Sequence, residues 1–204
     1  MSHMIRFFAL FAVFFVQSVS AAPDEGARDA VLAVVDQFKT KIVDQKKVLS
    51  KDPQRLYETV SGVLDPVIDF NDFAKKVMGK YYRRSSADQR SRFSSVTKAT
   101  LINTYGTTLL DFDPSAIEVK PLASNQRGKE TKVDVGFKTD DGTAIDIAFY
   151  MAQSKSGNWQ LSNIIINGIN FGLTFRKQFG VMMQKNKNNL DDAISAWESS
   201  LAAK

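Results

Sequence analysis

Val133-Asp134-Val135-Gly136-Phe137-Lys138-Thr139-Asp140-Asp141-Gly142-Thr143-Ala144-Ile145-Asp146-Ile147-Ala148-Phe149-Tyr150-Met151 is the stretch whose reading decides the fold. Apolar side chains recur at alternate positions on both sides of Asp140-Asp141-Gly142, and a period of two puts them on one face of an extended chain. Asp-Gly accepts the positive φ of a tight hairpin turn, so the two halves fold back on each other as antiparallel strands. Upstream, Ile117, Val119 and Pro121 begin the same alternation, and a polar Gly-containing loop from Ser124 to Glu130 separates them from Val133. Downstream, Ser156-Gly157-Asn158 turns the chain into a fourth strand, Trp159 to Ile166. Four consecutive strands joined by short turns make an antiparallel meander that can pack one face on helices.

The flanking sequence has the helical period instead. From Asp24, the residues Val31, Val34, Val35, Phe38, Ile42 and Leu49 recur at spacings of three and four, predicting one helix with a buried face. Asp52-Pro53 starts a second, because Asp caps free N–H groups and Pro has none to lose at the first helical position. Leu56, Val60 and Val63 line it, and Leu64-Asp65-Pro66 ends it. After Asp69, a third stripe runs through Phe70, Phe73, Val77, Met78 and Tyr81. Ser86-Ala87-Asp88-Gln89 is a capping box. It opens the longest helix, expected to keep Phe93, Val96, Leu101, Tyr105, Leu109 and Phe112 on one side until Asp113-Pro114. Helix returns at Phe171, Phe175, Phe179 and Met182, and Asn188-Asn189 precedes a last one with Leu190, Ile194, Trp197 and Leu201 inward. The fold class is therefore α+β, a meander of about four strands wrapped by about six or seven helices. A single compact domain is expected over 22–204, helical over about 27–112, with the sheet and C-terminal helices over about 115–204.

The N-terminus carries an address. Arg6, ten unbroken apolar residues from Phe7 to Val16, and the small side chains Val19 and Ala21 before Pro23 make a secretory signal with a cut after Ala21. Residues 1–21 are expected to be removed, and Met1-Ser2-His3 precede a second plausible start at Met4. The apolar run is short of the roughly 20 residues a spanning helix needs. Export to the periplasm is the expected outcome. The 204 residues hold 27 Lys and Arg against 22 Asp and Glu; losing Arg6 leaves 26 against 22, a net charge of +4. A basic exported protein meets anionic lipid, cell wall or acidic proteins, and no nucleic-acid partner is expected.

Composition also removes chemistry. There is no Cys, and the single His, His3, lies in the expected signal. Disulfides, Cys or His zinc sites, thiol nucleophiles and Ser-His-Asp triads cannot be built from such a mature chain. Asp140-Asp141, Asp191-Asp192 and Asp111-Phe112-Asp113 are carboxylate pairs, but each sits at a turn or cap, where Asp is favoured for local hydrogen bonding. No enzyme activity, metal or cofactor is expected. Two features remain. The sequence holds 15 Phe, 6 Met, 5 Tyr and 2 Trp, some of the Phe in the signal, and the rest fill either a solid core or the wall of an apolar pocket, which periodicity does not separate. Lys75, Lys76, Lys80, Arg83 and Arg84, followed by Arg90 and Arg92, interleave with Tyr81 and Tyr82. This cluster is either a solvated helix face or a landing surface for anionic head groups or an acidic partner.

The segment Trp159 to Phe179, WQLSNIIINGINFGLTFRKQF, resembles the C-terminal signature of the MlaC or toluene-tolerance family. There a strand beginning at Trp runs through a Gly-Ile turn into a helix with an Arg-Ser-Gln-Phe type motif. Trp159, Gly168, Ile169, Arg176, Gln178 and Phe179 match. Asp69-Phe70, Val77-Met78-Gly79, Tyr82-Arg83, Gln89-Arg90, Phe93 and Tyr105 resemble its helical half. Asn163 departs from an expected Asp, Asn170 from Ser and Phe175 from Tyr, which puts any hydrogen bond or cap at those positions in question.

The resemblance implies a curved NTF2-like sheet enclosing an apolar pocket, in a monomeric periplasmic carrier with phospholipid as cargo. Its partners would be an inner-membrane ABC transporter with an MCE-domain protein and an outer-membrane lipoprotein-porin complex, and its role the upkeep of outer-membrane lipid asymmetry. Two acyl chains hold roughly 30 methylenes, whose exposure at about 0.8 kcal/mol each would cost about 24 kcal/mol, so free diffusion of the lipid through water is closed. Phe73, Val77, Tyr105, Val135, Phe137, Ile147, Phe149, Ile166, Phe171 and Phe175 are the candidate lipid wall. Arg83, Arg84 and Arg176 are candidates for the head group or a partner surface. An NTF2-like enzyme acting on an apolar substrate and a ligand-free adaptor with a filled core are the competing readings.

Overall fold

A computed structural model of the chain describes residues 23–111, 117–119, 129–139 and 141–202. The expected signal peptide, Phe112 with Asp113-Pro114, Pro121, most of the loop before Glu130, and Asp140 lie outside the described residues. Within them are seven α-helices: α1 (Pro23–Phe38), α2 (Lys46–Leu49), α3 (Pro53–Leu64), α4 (Phe70–Met78), α5 (Ala87–Tyr105), α6 (Phe171–Lys185) and α7 (Leu190–Ala202). The strands β1 (Glu118–Val119), β2 (Glu130–Lys138), β3 (Ala144–Gln153), β4 (Trp159–Ile166) and β5 (Ile169–Asn170) form one antiparallel sheet in chain order. The α+β meander is as expected, with the two-residue β5 added at its end. Among the described residues no helix is long and apolar enough to cross a membrane.

Local chemistry explains the boundaries. Asp52 accepts a hydrogen bond from Arg55 N at 3.0 Å and Pro53 opens α3. Asp69 accepts from Asn71 N and Asp72 N at 2.9 and 3.0 Å to start α4. The capping box of α5 is complete, with Gln89 N donating to Ser86 Oγ at 3.1 Å and Ser86 N to Gln89 Oε1 at 3.0 Å. Gly142 and Gly157 take φ of 84° and 86° in the two hairpins, a conformation that carries little penalty without a Cβ.

Two helical expectations are corrected. The helix expected to run unbroken to Leu49 ends at Phe38 and passes through a π-helical turn, Lys39–Val43, in which Asp44 N reaches back to Lys39 O. The longest helix stops at Tyr105, because Gly106-Thr107-Thr108 joins a glycine to two β-branched residues of low helix propensity. Leu109 then falls in a 3₁₀ turn, Thr108–Asp111, which packs against the π turn, and Leu109 joins the core around α1 and α3 instead of continuing the stripe of Phe93.

The buried side chains form two cores. One joins α1, the π turn, α2 and α3 to Val133, Val135, Phe137 and Met151 of the sheet. The other is helical, built from α4 to α7 around Phe93, Phe179 and Trp197, whose rings lie 4.6 to 6.0 Å apart. α5 serves both, with Ile102 in the first and Phe93 in the second. Along the free half of β4, Leu161 N donates to Val67 O at 2.7 Å and Lys76 Nζ to Ser162 O at 3.1 Å.

Candidate lipid-binding site

The register assigns the two faces of the sheet. Val133 lies opposite Phe149, and Phe149 opposite Ile164; Val135 lies opposite Ile147, and Ile147 opposite Ile166. These residues, with Phe137, Ile145, Met151 and Leu161, share the face that α1 covers. α1 sits chiefly over β2 and only lightly over β3 and β4, and burial follows it. Val133, Val135 and Phe137 are buried, whereas Ile147, Phe149, Ile164 and Ile166 are half-buried. Every residue of β4 is half-buried, on both faces. One apolar row therefore begins as core and ends as partly uncovered surface.

The remaining wall candidates belong to the helical core. Val77 and Phe175 are fully packed there, Phe175 meeting Trp197 at 5.8 Å. Phe73 and Phe171 are half-buried and stand edge-on to Phe175 at 6.1 and 5.6 Å, and Tyr105 is half-buried at the end of α5. The ten candidates thus divide into five on the sheet, Val135, Phe137, Ile147, Phe149 and Ile166, and five on the helices. Leu161 and Ile164 complete the sheet row and were missed. The alternation of β4 is broken by a bulge between the Tyr150 and Met151 pairings, which hides their shared face from a strict period of two.

The basic residues sort by what they touch. Arg90 donates to Ser85 Oγ and Tyr82 O, both at 3.0 Å, and Arg92 donates to Ser195 Oγ at 2.9 Å, tying α5 to α7. Arg84 donates to Asn188 O at 3.2 Å with its guanidinium 4.9 Å from the Tyr81 ring centre. Arg83 and Arg176 are exposed and have no hydrogen bond or ion pair among the described residues. Arg176 lies across Gly79 at the end of α4, so closely that a Cβ there would meet its Nε at 2.8 Å. Gly79 holds φ +55° and ψ −121°, a region that is strained for any residue with a Cβ.

Other polar groups are absorbed by the fold. Lys76 is paired with Asp72 at 2.9 Å and donates to Ser162, which is hydrogen-bonded to Glu130. Asn170, one of the departures from the family pattern, still caps α6 by accepting from Leu173 N at 3.0 Å. Asn163, another, brings its Oδ1 to within 2.7 Å of where a Cβ on Gly172 would stand. The carboxyl of Asp141 is held below its ordinary range by hydrogen bonds from the Thr139 side chain and then the Thr143 backbone, which makes it a turn residue. On the opposite face of the sheet a depression of about 250 Å³ is lined by Lys132, Asp134, Asp146, Tyr150 and Ile165. Val135 and Ile147 of the candidate wall also border it, but it carries the Lys132 to Asp134 ion pair at 2.9 Å, and by the strand register Lys132, Asp134 and Tyr150 lie on the face opposite Val133, Val135 and Phe149.

The profile of the MlaC protein family matches residues 32–199. The toluene tolerance protein ttg2D of Pseudomonas putida is 30% identical over 95% of this chain and 88% of its own length. The intermembrane phospholipid transport system binding protein MlaC of Haemophilus influenzae is 21% identical over 81% of this chain and 77% of its own. A phospholipid-binding protein from Ralstonia solanacearum, solved in complex with a phospholipid, superposes with a TM-score of 0.71 at 19% identity, covering 89% of this chain and 99% of that one. With the family profile spanning most of the sequence, and with Trp159 on Gly26 of α1 and Arg176 on Gly79 of α4 giving two of the matched positions a packing role, the chain belongs to the MlaC family.

Proposed function

We propose that this chain is a periplasmic carrier that holds phospholipid and ferries it between an outer-membrane lipoprotein-porin complex and an inner-membrane ABC transporter with an MCE-domain protein, maintaining outer-membrane lipid asymmetry. The observation that carries this reading is the fading burial along one apolar row, from Val133 and Val135 to Ile147, Phe149, Ile164 and Ile166. Half-buried aliphatic and aromatic side chains on a sheet face leave apolar area to be removed from water, at about 25 cal/mol per Å². Acyl chains match that surface without demanding polar contacts. The relative from Haemophilus influenzae, named for intermembrane phospholipid transport, and the lipid-bound Ralstonia solanacearum protein support the choice of phospholipid.

In this reading Phe73, Tyr105 and Phe171 complete the wall from the helical side, in front of the packed Val77 and Phe175. Arg176, one residue beyond Phe175, meets the lipid phosphate, for which a guanidinium fork is suited. Arg83 and Arg84 extend the same basic surface toward partners. The carrier performs no bond chemistry, and the competing enzyme and adaptor readings have no comparable observation behind them.

The test is native mass spectrometry of residues 22–204 purified without detergent from a periplasmic extract, followed by lipid analysis of the denatured sample. A mass excess that resolves into stoichiometric phospholipid is expected. A clean protein mass with no extractable lipid would overturn the reading.

A further inference from the structure

The outer side of α6 is apolar where a solvated helix should be polar. Its inner face, Phe171, Phe175, Phe179 and Met183, is spent on the helical core. Yet Leu173 and Val181 are 54% and 48% exposed, and Ile169, in β5 just before the helix, is 56% exposed. Leu173, Lys177 and Val181 follow at intervals of four, which stacks them on one ridge. Single exposed aliphatic residues, such as Val48 on α2, are ordinary. Two on one ridge of α6, with Ile169 in the strand that leads into it, form a patch.

The charge around the ridge has one sign. Residues 147–190 contain Lys155, Arg176, Lys177, Lys185 and Lys187 and no Asp or Glu. The neighbouring 3₁₀ turn adds Lys80, Arg83 and Arg84, joined to this surface where Arg176 crosses Gly79 and where Arg84 donates to Asn188 O. Of the acidic groups on neighbouring elements, Asp72 pairs with Lys76 and Asp191 accepts from Gln89 Nε2 at 3.0 Å, while Asp146, on β3, is bonded through its backbone to Asn167 just before β5. A helix with aliphatic side chains flanked by lysines is the pattern of an interfacial element on anionic lipid, with Lys stems laid along the apolar boundary and ammonium groups among the head groups. A protein partner would favour aromatic anchors, and the exposed apolar residues here are the aliphatic Ile169, Leu173 and Val181.

We infer that the patch of Ile169, Leu173 and Val181, with Lys177 and its basic flanks, docks the protein on the surface of an anionic bilayer. This goes beyond the carrier reading, because a carrier passing lipid only from protein to protein needs no bilayer contact. The test uses residues 22–204 in flotation with vesicles of phosphatidylethanolamine containing a quarter phosphatidylglycerol, against vesicles of phosphatidylcholine alone. Binding to the anionic vesicles only, weakened by salt, is expected. Lys177→Gln should lower the partition coefficient about fivefold. Leu173→Ser with Val181→Ser should lower it roughly tenfold or more, with unfolding temperature and bound cargo unchanged. Equal binding to neutral vesicles, no vesicle binding, or binding that survives the double serine variant would each overturn the proposal. If the serine variant never binds differently to vesicles but loses lipid exchange with protein partners, the ridge is a protein interface and the proposal is also overturned. Cargo measured in the same samples separates this failure from failure of the carrier reading.

Discussion

Phe149→Asp is the sharpest perturbation of the proposed wall. Phe149 is half-buried between Val133 and Ile164, with Ile147 and Met151 two residues away on the same face. These neighbours are apolar, and none of them can pair with a carboxylate. In the chain alone the new carboxylate hydrates at the open side of the row. The stability cost is then about 2 kcal/mol, near half of the 3–5 kcal/mol for truncating a fully buried Phe, or about 4–8 °C in Tm for a chain of this size. Under an acyl chain the carboxylate loses its water, and its cheapest response is to take up a proton. At pH 7 that costs about 4 kcal/mol for a group with an ordinary pKa near 3.9, a loss of about a thousandfold in lipid affinity. The sign follows directly. The loss of about a thousandfold at pH 7 shrinks about tenfold per pH unit as pH falls toward 4, where about half of the side chains are already neutral in water. Thermal unfolding and the lipid-to-protein ratio from native mass spectrometry, read on the same samples across that pH range, check both figures. Phe93→Ala is the reference: fully buried and 4.6 Å from Phe179, it should cost about 3–5 kcal/mol while the folded fraction keeps its lipid. Full lipid occupancy of folded Phe149→Asp at pH 7 would refute the reasoning and return Phe149 to the core.

Gly79→Ala should destabilise by about 1–3 kcal/mol from its positive φ, measured by chemical denaturation. In a double-mutant cycle with Arg176→Ala only the part due to the Arg176 side chain should disappear, leaving the backbone strain. Asp69→Ala removes the acceptor for Asn71 N and Asp72 N and should cost about 1 kcal/mol in urea midpoint shifts. Trp197→Phe breaks the buried hydrogen bond from Trp197 Nε1 to Thr97 Oγ1 at 3.1 Å, and the unpaired hydroxyl should cost about 1–3 kcal/mol in the same assay; an unchanged midpoint would mean that Thr97 finds another partner.

The sequence was most legible where one residue dictates its own surroundings. Asp52-Pro53 and the Ser86 box each cap a helix as read, because a cap is a local hydrogen bond; Asp69, read only as the residue before a stripe, caps the next one in the same way. The π turn after Phe38 was not legible, since the 3.6 period carries across it with Ile42 and Leu49 still buried, and the break at Gly106 was not, since Leu109 keeps the sequence spacing of the stripe although it packs in the other core. The candidate wall was legible as a set of faces and no further. Val135, Ile147 and Ile166 read alike as inward positions of a meander, yet they differ in burial because α1 spans β2 and barely reaches β4. That is a matter of where a helix axis falls, which no alternation records. Likewise Val77 and Phe73 lie on one helical stripe, and only packing separates the residue locked in the helical core from the one at its rim. The seat of Arg176 on Gly79 depends on a φ of +55°, and a glycine in sequence does not announce which conformation it will use.

The contacts along the free half of β4 carry a consequence for how such a protein survives at high concentration. A strand with an unpaired backbone edge and apolar side chains is a template for adding strands from other molecules. Here the carbonyl of Val67 occupies the Leu161 amide and the ammonium of Lys76 occupies the Ser162 carbonyl. The β4 margin of the sheet is thereby partly denied to a second copy. The chain can keep a greasy row partly bare while the backbone beside it is less open to strand addition from another molecule.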